Sequence, residues 1–228
     1  MLRKAGDLFA QFNNEVREGR LSANRSQPIG AGSYGIVYQS DVPGNVIKQS
    51  TQWGQDLEQE ANLQAIAAEM GIAPQVRGLE KFVGGVGDRI EMADVRKNFS
   101  PVRGSGARGD GYPLDPKVNL RTTQQLGQLA LKGVRLEDRH AGNILTNNMT
   151  GRPMQLDFGI AGKMSPDQQA AHLANVTAEG FEAAGIGEMG SILRATVMDY
   201  LEGGQVAEAM DVAKQGFSRL QKIKEPLV

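Results

Sequence analysis

The chain has 228 residues, 40% hydrophobic and 22% charged, with a net charge of −1. That length supports one large domain or two packed lobes with a sizeable core, and the near-neutral balance gives no reason to expect nucleic acid or a membrane surface as partner. With no cysteine and only His140 and His172, the chain has no disulfide framework or thiolate metal site, and a zinc site would need mostly carboxylates.

In chain order, Met1–Asp7 lacks the apolar core of a cleavable signal peptide. No stretch approaches the ~18 uninterrupted apolar residues of a membrane span. Synthesis and folding in a reducing cytoplasm are expected. Leu8, Phe9, Phe12 and Val16 have helical spacing, which predicts an amphipathic helix over 7–20 inside an N-terminal extension, residues 1–27. From Pro28 the pattern changes. Ile36-Val37-Tyr38 and Val46-Ile47-Lys48 read as two strands of a hairpin around Asp41-Val42-Pro43-Gly44. Asp56 to Met70 reads as a helix with Gly71 as its C-cap. Strands are expected at 76–83 and 89–95, and a loop over 96–112, where Arg103 to Gly111 is too glycine-rich for regular structure. Helices follow at Leu120–Leu131, from Ser165-Pro166, at 188–202 and at 205–223. A β-rich part over 28–95, a hinge near residue 95 and an α-rich part over 96–228 predict an α+β, two-lobed plan.

Three separated clusters carry chemistry. The first is Gly30-Ala31-Gly32-Ser33-Tyr34-Gly35-Ile36-Val37. A lone G-x-G-x-x-G is ambiguous, because dinucleotide-binding folds use it too. There the glycines open a helix and an acidic residue follows about 20 positions on. Here they run into a strand, and the charged residue 13 positions after Gly35 is Lys48. A strand–glycine loop–strand lets bare backbone fold over phosphates; a ligand-free hairpin turn is the plainer alternative. From its strand Lys48 can reach phosphate oxygens, and such an ammonium needs a carboxylate to hold it. Glu60 is chosen over Glu58 and Glu69, because it leaves Leu63, Ile66 and Ala67 to pack on the neighbouring helical face. An ordinary solvated glutamate is the alternative.

The second cluster is Asp138 with Asn143 five residues on, and the third is Asp157-Phe158-Gly159. Asp138 would orient a substrate hydroxyl and accept its proton. A hairpin through a turn at 147–153 would return Asp157 beside Asn143, so that both reach one metal. Mg²⁺ favours such a set, with few carboxylates and the rest substrate oxygens and water. His140 either touches a phosphate or packs the loop. Arg108-Gly109-Asp110 spells an adhesion tripeptide, but its glycine-rich setting reads as a solvated loop, as do the nearby Arg96, Lys97 and Arg103.

Over roughly residues 28–165 these motifs make the chain resemble the protein-kinase superfamily. Gly30, Gly32 and Gly35 match its glycine-rich loop, Lys48 its strand lysine and Glu60 its helix glutamate. Asp138 and Asn143 match the catalytic loop, and Asp157-Phe158-Gly159 the metal-binding motif. The resemblance implies a bilobal fold that binds ATP and Mg²⁺. It implies Asp138, Lys48 and Glu60 as catalytic residues, and Asn143 and Asp157 as metal ligands. It also implies nucleotide contacts from Gly30–Gly35, Val37, Lys48, Met92 as gatekeeper, Val95 in the hinge and His140. The substrate would be a protein serine or threonine. A small-molecule phosphotransferase of the antibiotic- or choline-kinase type and a nucleotide-binding pseudokinase scaffold are the alternatives.

The departures matter too. Leu136-Glu137 stand where the family has His-Arg, so the arginine that reads activation-loop phosphate is missing. No Ala-Pro-Glu follows Gly159, and the next helix signal comes within seven residues, leaving a truncated segment with Ser165 and Thr177 as nearby hydroxyls. Such minimal kinases are similar to the type III secreted effectors of the HopBF class. That likeness implies a monomer made in the bacterial cytoplasm and secreted into the host cytoplasm. The substrate it implies is a host molecular chaperone, the eukaryotic ninety-kilodalton heat-shock protein.

Overall fold

A computed structural model describes residues 28–31, 35–51, 56–82, 87–102, 114–137 and 141–226. The expected helix over 7–20, Gly32, Ser33, Tyr34, Asp138, His140 and the Arg103–Gly111 run lie outside the described residues. The chain is α+β, and two compact units divide it. One comprises residues up to Asn62 with Gln75–Asp94; the other comprises Leu63–Pro74 and the chain from Val95 onward.

The first unit is built on an antiparallel five-stranded sheet. Its strands are β1 (Gly30–Ala31), β2 (Gly35–Gln39), β3 (Asn45–Ser50), β4 (Val76–Glu80) and β5 (Arg89–Ala93), in the order β1-β2-β3-β5-β4. The β-branched and aromatic run Ile36–Tyr38 and the apolar Val46-Ile47 suit a pleated surface. Between them Gly44 takes φ 84°, and the Asn45 N–H donates to the Val42 carbonyl at 3.1 Å. The register sets Val37 opposite Lys48 and Lys48 opposite Ile90. Directly opposed residues share a face, so this row and the Val46–Met92 pair line one side of the sheet. That side packs against Leu57 and Ala61 of α1 (Leu57–Glu69).

Helix α1 ends as expected. Gly71, at φ 67°, donates to the Ala68 carbonyl, and Ile72 donates to that of Ala67. This is the paired-bond Schellman stop, in which a left-handed residue is needed and glycine supplies it without a Cβ clash. The expected strands at 76–83 and 89–95 are shorter, because local groups take the next backbone donors. The Phe82 N–H turns to the Asp88 carboxylate at 2.6 Å, and that of Asp94 to the Gly44 carbonyl at 2.8 Å.

Among the described residues the second unit holds the end of α1, two small sheets and four further α-helices. The helices are α2 (Pro116–Leu131), α3 (Pro166–Ala183), α4 (Gly187–Glu202) and α5 (Val206–Leu220). One sheet runs β6 (Phe99–Pro101), β8 (Ile144–Asn147), β9 (Pro153–Gln155) in the order β6-β8-β9. The other pairs β7 (Val134–Arg135) with β10 (Gly162–Lys163). Strand β6 corrects the expectation of a loop over 96–112: three residues ending in proline carry no alternation, and a proline at an edge is tolerated. Helix α2 starts four residues before Leu120. Asp115 caps it by accepting the Lys117 and Val118 N–H groups, and Pro116 fills the first helical position. Helix α3 opens at Ser165-Pro166 as expected, with the Ser165 N–H donating to Gln168 Oε1 at 3.1 Å.

The helices approach closely through glycine. A Cβ at Gly127 would overlap the Phe217 ring, one at Gly216 would lie 2.6 Å from Leu193, and one at Gly190 would lie 2.8 Å from the Ala178 backbone. Phe158, Phe181, Phe217, Leu129, Leu136 and Leu173 fill this core, each at most 2% exposed. Burying each contributes about 1.5–3 kcal/mol.

Candidate functional site

Lys48 lies mid-way along β3 on the side of the sheet that faces α1. Its Nζ donates to Glu60 Oε1 at 2.6 Å, with the two side chains 8% and 2% exposed. Glu60 sits one helical turn from Leu57 and beside Ala61, so the stripe that packs on the sheet also delivers the carboxylate. Leu63, Ile66 and Ala67 pack instead into the core of the second unit. The competing Glu58 is exposed and pairs with Lys81; Glu69, at the end of α1, is exposed.

Gly35 opens β2 and supports this arrangement. A Cβ there would lie 2.8 Å from the Gln49 carbonyl, 3.1 Å from Lys48 Cε and 3.3 Å from Lys48 Cγ. The Gln49 carbonyl on the paired strand is the main obstacle to a side chain here, and the lysine stem crowds the same space, so the glycine is a steric requirement of the close β2–β3 approach. Motif matching marks Gly35 as a loop glycine, but its contact with Lys48 comes from strand pairing. Gly30 and Ala31 pair with Val37 and Ile36, and Val37 is half-buried. The glycine cluster therefore joins two antiparallel strands, where a dinucleotide loop joins a strand to a helix.

Met92, 8% exposed, lies on β5 between Val46 and Val76. Val95 follows β5, and its carbonyl accepts the Asn98 and Phe99 N–H groups at 3.0 Å each. Glu91, between Ile90 and Met92, holds the β2–β3 turn. It accepts from Ser40 Oγ at 2.7 Å and from Asn45 Nδ2 at 3.0 Å, and these bonds, Ser40 first, hold its carboxyl below the ordinary value.

Asn143 and Asp157 come together in the second unit. Asn143 ends a single 3₁₀ turn, Ala141–Asn143, that leads into β8. β8 and β9 pair with Ile144 opposite Gln155, and the ladder continues as the Leu156 N–H donates to the Asn143 carbonyl at 2.8 Å. The expected hairpin thus brings Asn143 next to Leu156-Asp157. Asp157 has φ 51°, the one positive φ among the described non-glycine residues, and its Oδ1 accepts the Gly159 N–H at 3.1 Å. Aspartate is among the few residues that tolerate this conformation, through such local bonds. The next residue, Phe158, is 1% exposed in the core and anchors the turn.

Among the described residues no group of three or more His, Asp or Glu side chains could hold a metal ion. An amide oxygen from Asn143 and a carboxylate from Asp157 are hard donors, too few for a protein-only cage but suited to Mg²⁺ shared with phosphate and water. Next to the undescribed Asp138, Leu136 is 1% exposed in the core, and Glu137 pairs with Arg135 at the surface. After Phe158 a few backbone bonds tie the chain down. Ala161 donates to the Phe158 carbonyl, β10 pairs with β7, and Met164 donates to the Gly133 carbonyl just before α3.

No helix among the described residues is long and apolar enough to cross a membrane. Compared with models of known protein families and with curated proteins, the sequence matches none.

Proposed function

We propose that the chain is a minimal, two-lobed protein kinase that transfers the γ-phosphoryl group of ATP to a protein serine or threonine. The observation that carries this reading is the buried Lys48–Glu60 pair. Taking both charges out of water costs several kcal/mol per ion, and replacing such a pair with apolar residues is often neutral or stabilising. A fold that keeps one has a use for an ammonium at a defined place, and the adjoining glycine hairpin suggests phosphates as its target.

In this reading the backbone of Gly30–Gly35 covers the phosphates, with Val37, Met92 and Val95 bordering the base. Lys48, oriented by Glu60, binds the α- and β-phosphates. Asn143 and Asp157 would hold Mg²⁺, which supplies charge neutralisation at the phosphates. Asp138 orients the substrate hydroxyl and takes its proton while the new O–P bond forms. The bond to the β–γ bridging oxygen breaks, and ADP leaves. His140 would contact the γ-phosphate or, alternatively, pack the loop. By the same reading the chain is a secreted bacterial effector of the HopBF type, with the host ninety-kilodalton chaperone as candidate substrate.

The test is incubation with labelled ATP and Mg²⁺ in a eukaryotic lysate, and with the purified chaperone. Label should enter protein with the wild type and be lost with Asp157→Ala, while Asp138→Ala should lower turnover by at least ~10². Label that enters only small molecules would favour a small-molecule phosphotransferase. Labelling unchanged by Asp157→Ala would overturn the reading.

A further inference from the structure

We infer that Gln125 and Gln155 are positioning residues for Asp157; this rests on the metal–nucleotide reading above. Both are buried amides, 6% and 1% exposed. A buried amide costs roughly 1–3 kcal/mol unless bonded, and these two satisfy each other and the strand between them. Gln125 Nε2, from α2, donates to the Pro153 carbonyl at 2.7 Å, and Gln155 Nε2 donates to Gln125 Oε1 at 3.3 Å. On the remaining side the Gln155 N–H donates to the Ile72 carbonyl at 2.7 Å.

The three-residue β9 is thus held by β8, by α2 and by residue 72. It needs this support, because so short a strand has little pairing of its own. Two residues beyond it Asp157 adopts a left-handed backbone conformation at φ 51°, which has a cost that surrounding contacts help to offset. Apolar side chains would fill the same space beside β9. Amides add direction: they fix the rotation and register of the strand that ends at Asp157, which is what a metal-binding carboxylate requires.

The test is Mn²⁺ binding, read by electron paramagnetic resonance with a non-hydrolysable ATP analogue, on wild type and Gln125→Leu. Metal affinity should weaken about tenfold, the low end for groups that orient ligands from behind, with the folded fraction measured separately by circular dichroism. Gln155→Met, which breaks the same bond from the strand side, provides the measurement if Gln125→Leu does not fold. Unchanged Mn²⁺ affinity in a folded variant would mean that the amides are structural only and would overturn the inference while leaving the nucleotide reading intact. A wild type that binds no Mn²⁺–nucleotide would overturn the nucleotide reading, and this inference with it.

Discussion

Lys48 pairs with Glu60 and not with Glu58, although the two glutamates lie two residues apart on α1. Removing either partner strands a charge in the interior, which costs about 3–5 kcal/mol. Lys48→Ala and Glu60→Ala should each destabilise on that scale in urea unfolding. The double variant should cost far less than their sum. Glu58→Ala should leave stability within error of wild type and show no coupling to Lys48. Strict additivity of Lys48→Ala and Glu60→Ala, or coupling at Glu58, would contradict the geometry.

At Asp157 charge and backbone can be separated. Alanine in the left-handed region costs roughly 1–2 kcal/mol, whereas glycine adopts it freely and asparagine tolerates it. Asp157→Ala should therefore be the least stable of the three variants by about 1 kcal/mol. All three should lose phosphoryl transfer, because none retains the carboxylate. Equal stability of the alanine and glycine variants would show that φ 51° is not kept in solution.

If the proposed kinase reading holds, regulation by phosphate is not expected: Leu136 is buried in the core, and β10 pairs with β7 in the segment between Phe158 and α3. Thr177 is fully buried, so of the two nearby hydroxyls only Ser165 is accessible, and it donates to Asp167 at 2.6 Å. Phosphatase-treated protein should keep its full initial rate. Ser165→Ala should lower the melting temperature by a few degrees through loss of a helix cap, without changing the rate per folded molecule. A rate that falls as phosphate leaves Ser165 would reveal a switch.

Acid should act on the first unit through Glu91. Its folded pKa is depressed by Ser40 and then Asn45. The associated stability is therefore fully present above the ordinary value of 4.5 and is lost as pH falls through the lower folded pKa. Urea midpoints measured from pH 6 downward should fall below about pH 4.5, and Ser40→Ala should flatten that decline. An identical acid slope in wild type and Ser40→Ala would show that the bond contributes no linkage.

The sequence alone determined the features that short-range physics controls. Gly71 stops α1 and Ser165-Pro166 starts α3, because caps are local hydrogen-bond arrangements. The β2–β3 hairpin follows from β-branched runs flanking a turn. The choice of Glu60 followed from which helix positions must stay apolar, and the Asn143–Asp157 hairpin from two short apolar runs around Asn147–Pro153. Elsewhere the information was non-local. Strand β6 exists only because β8 offers it an edge, and β7 and β10 only because they meet each other. Gly35 is needed because the Gln49 carbonyl on the neighbouring strand lies where its side chain would stand. Gln125 and Gln155, 30 positions apart, read as ordinary polar residues until folding buries them against each other. Burial, register and the meeting of distant side chains depend on the whole chain, and only the tertiary structure decided them.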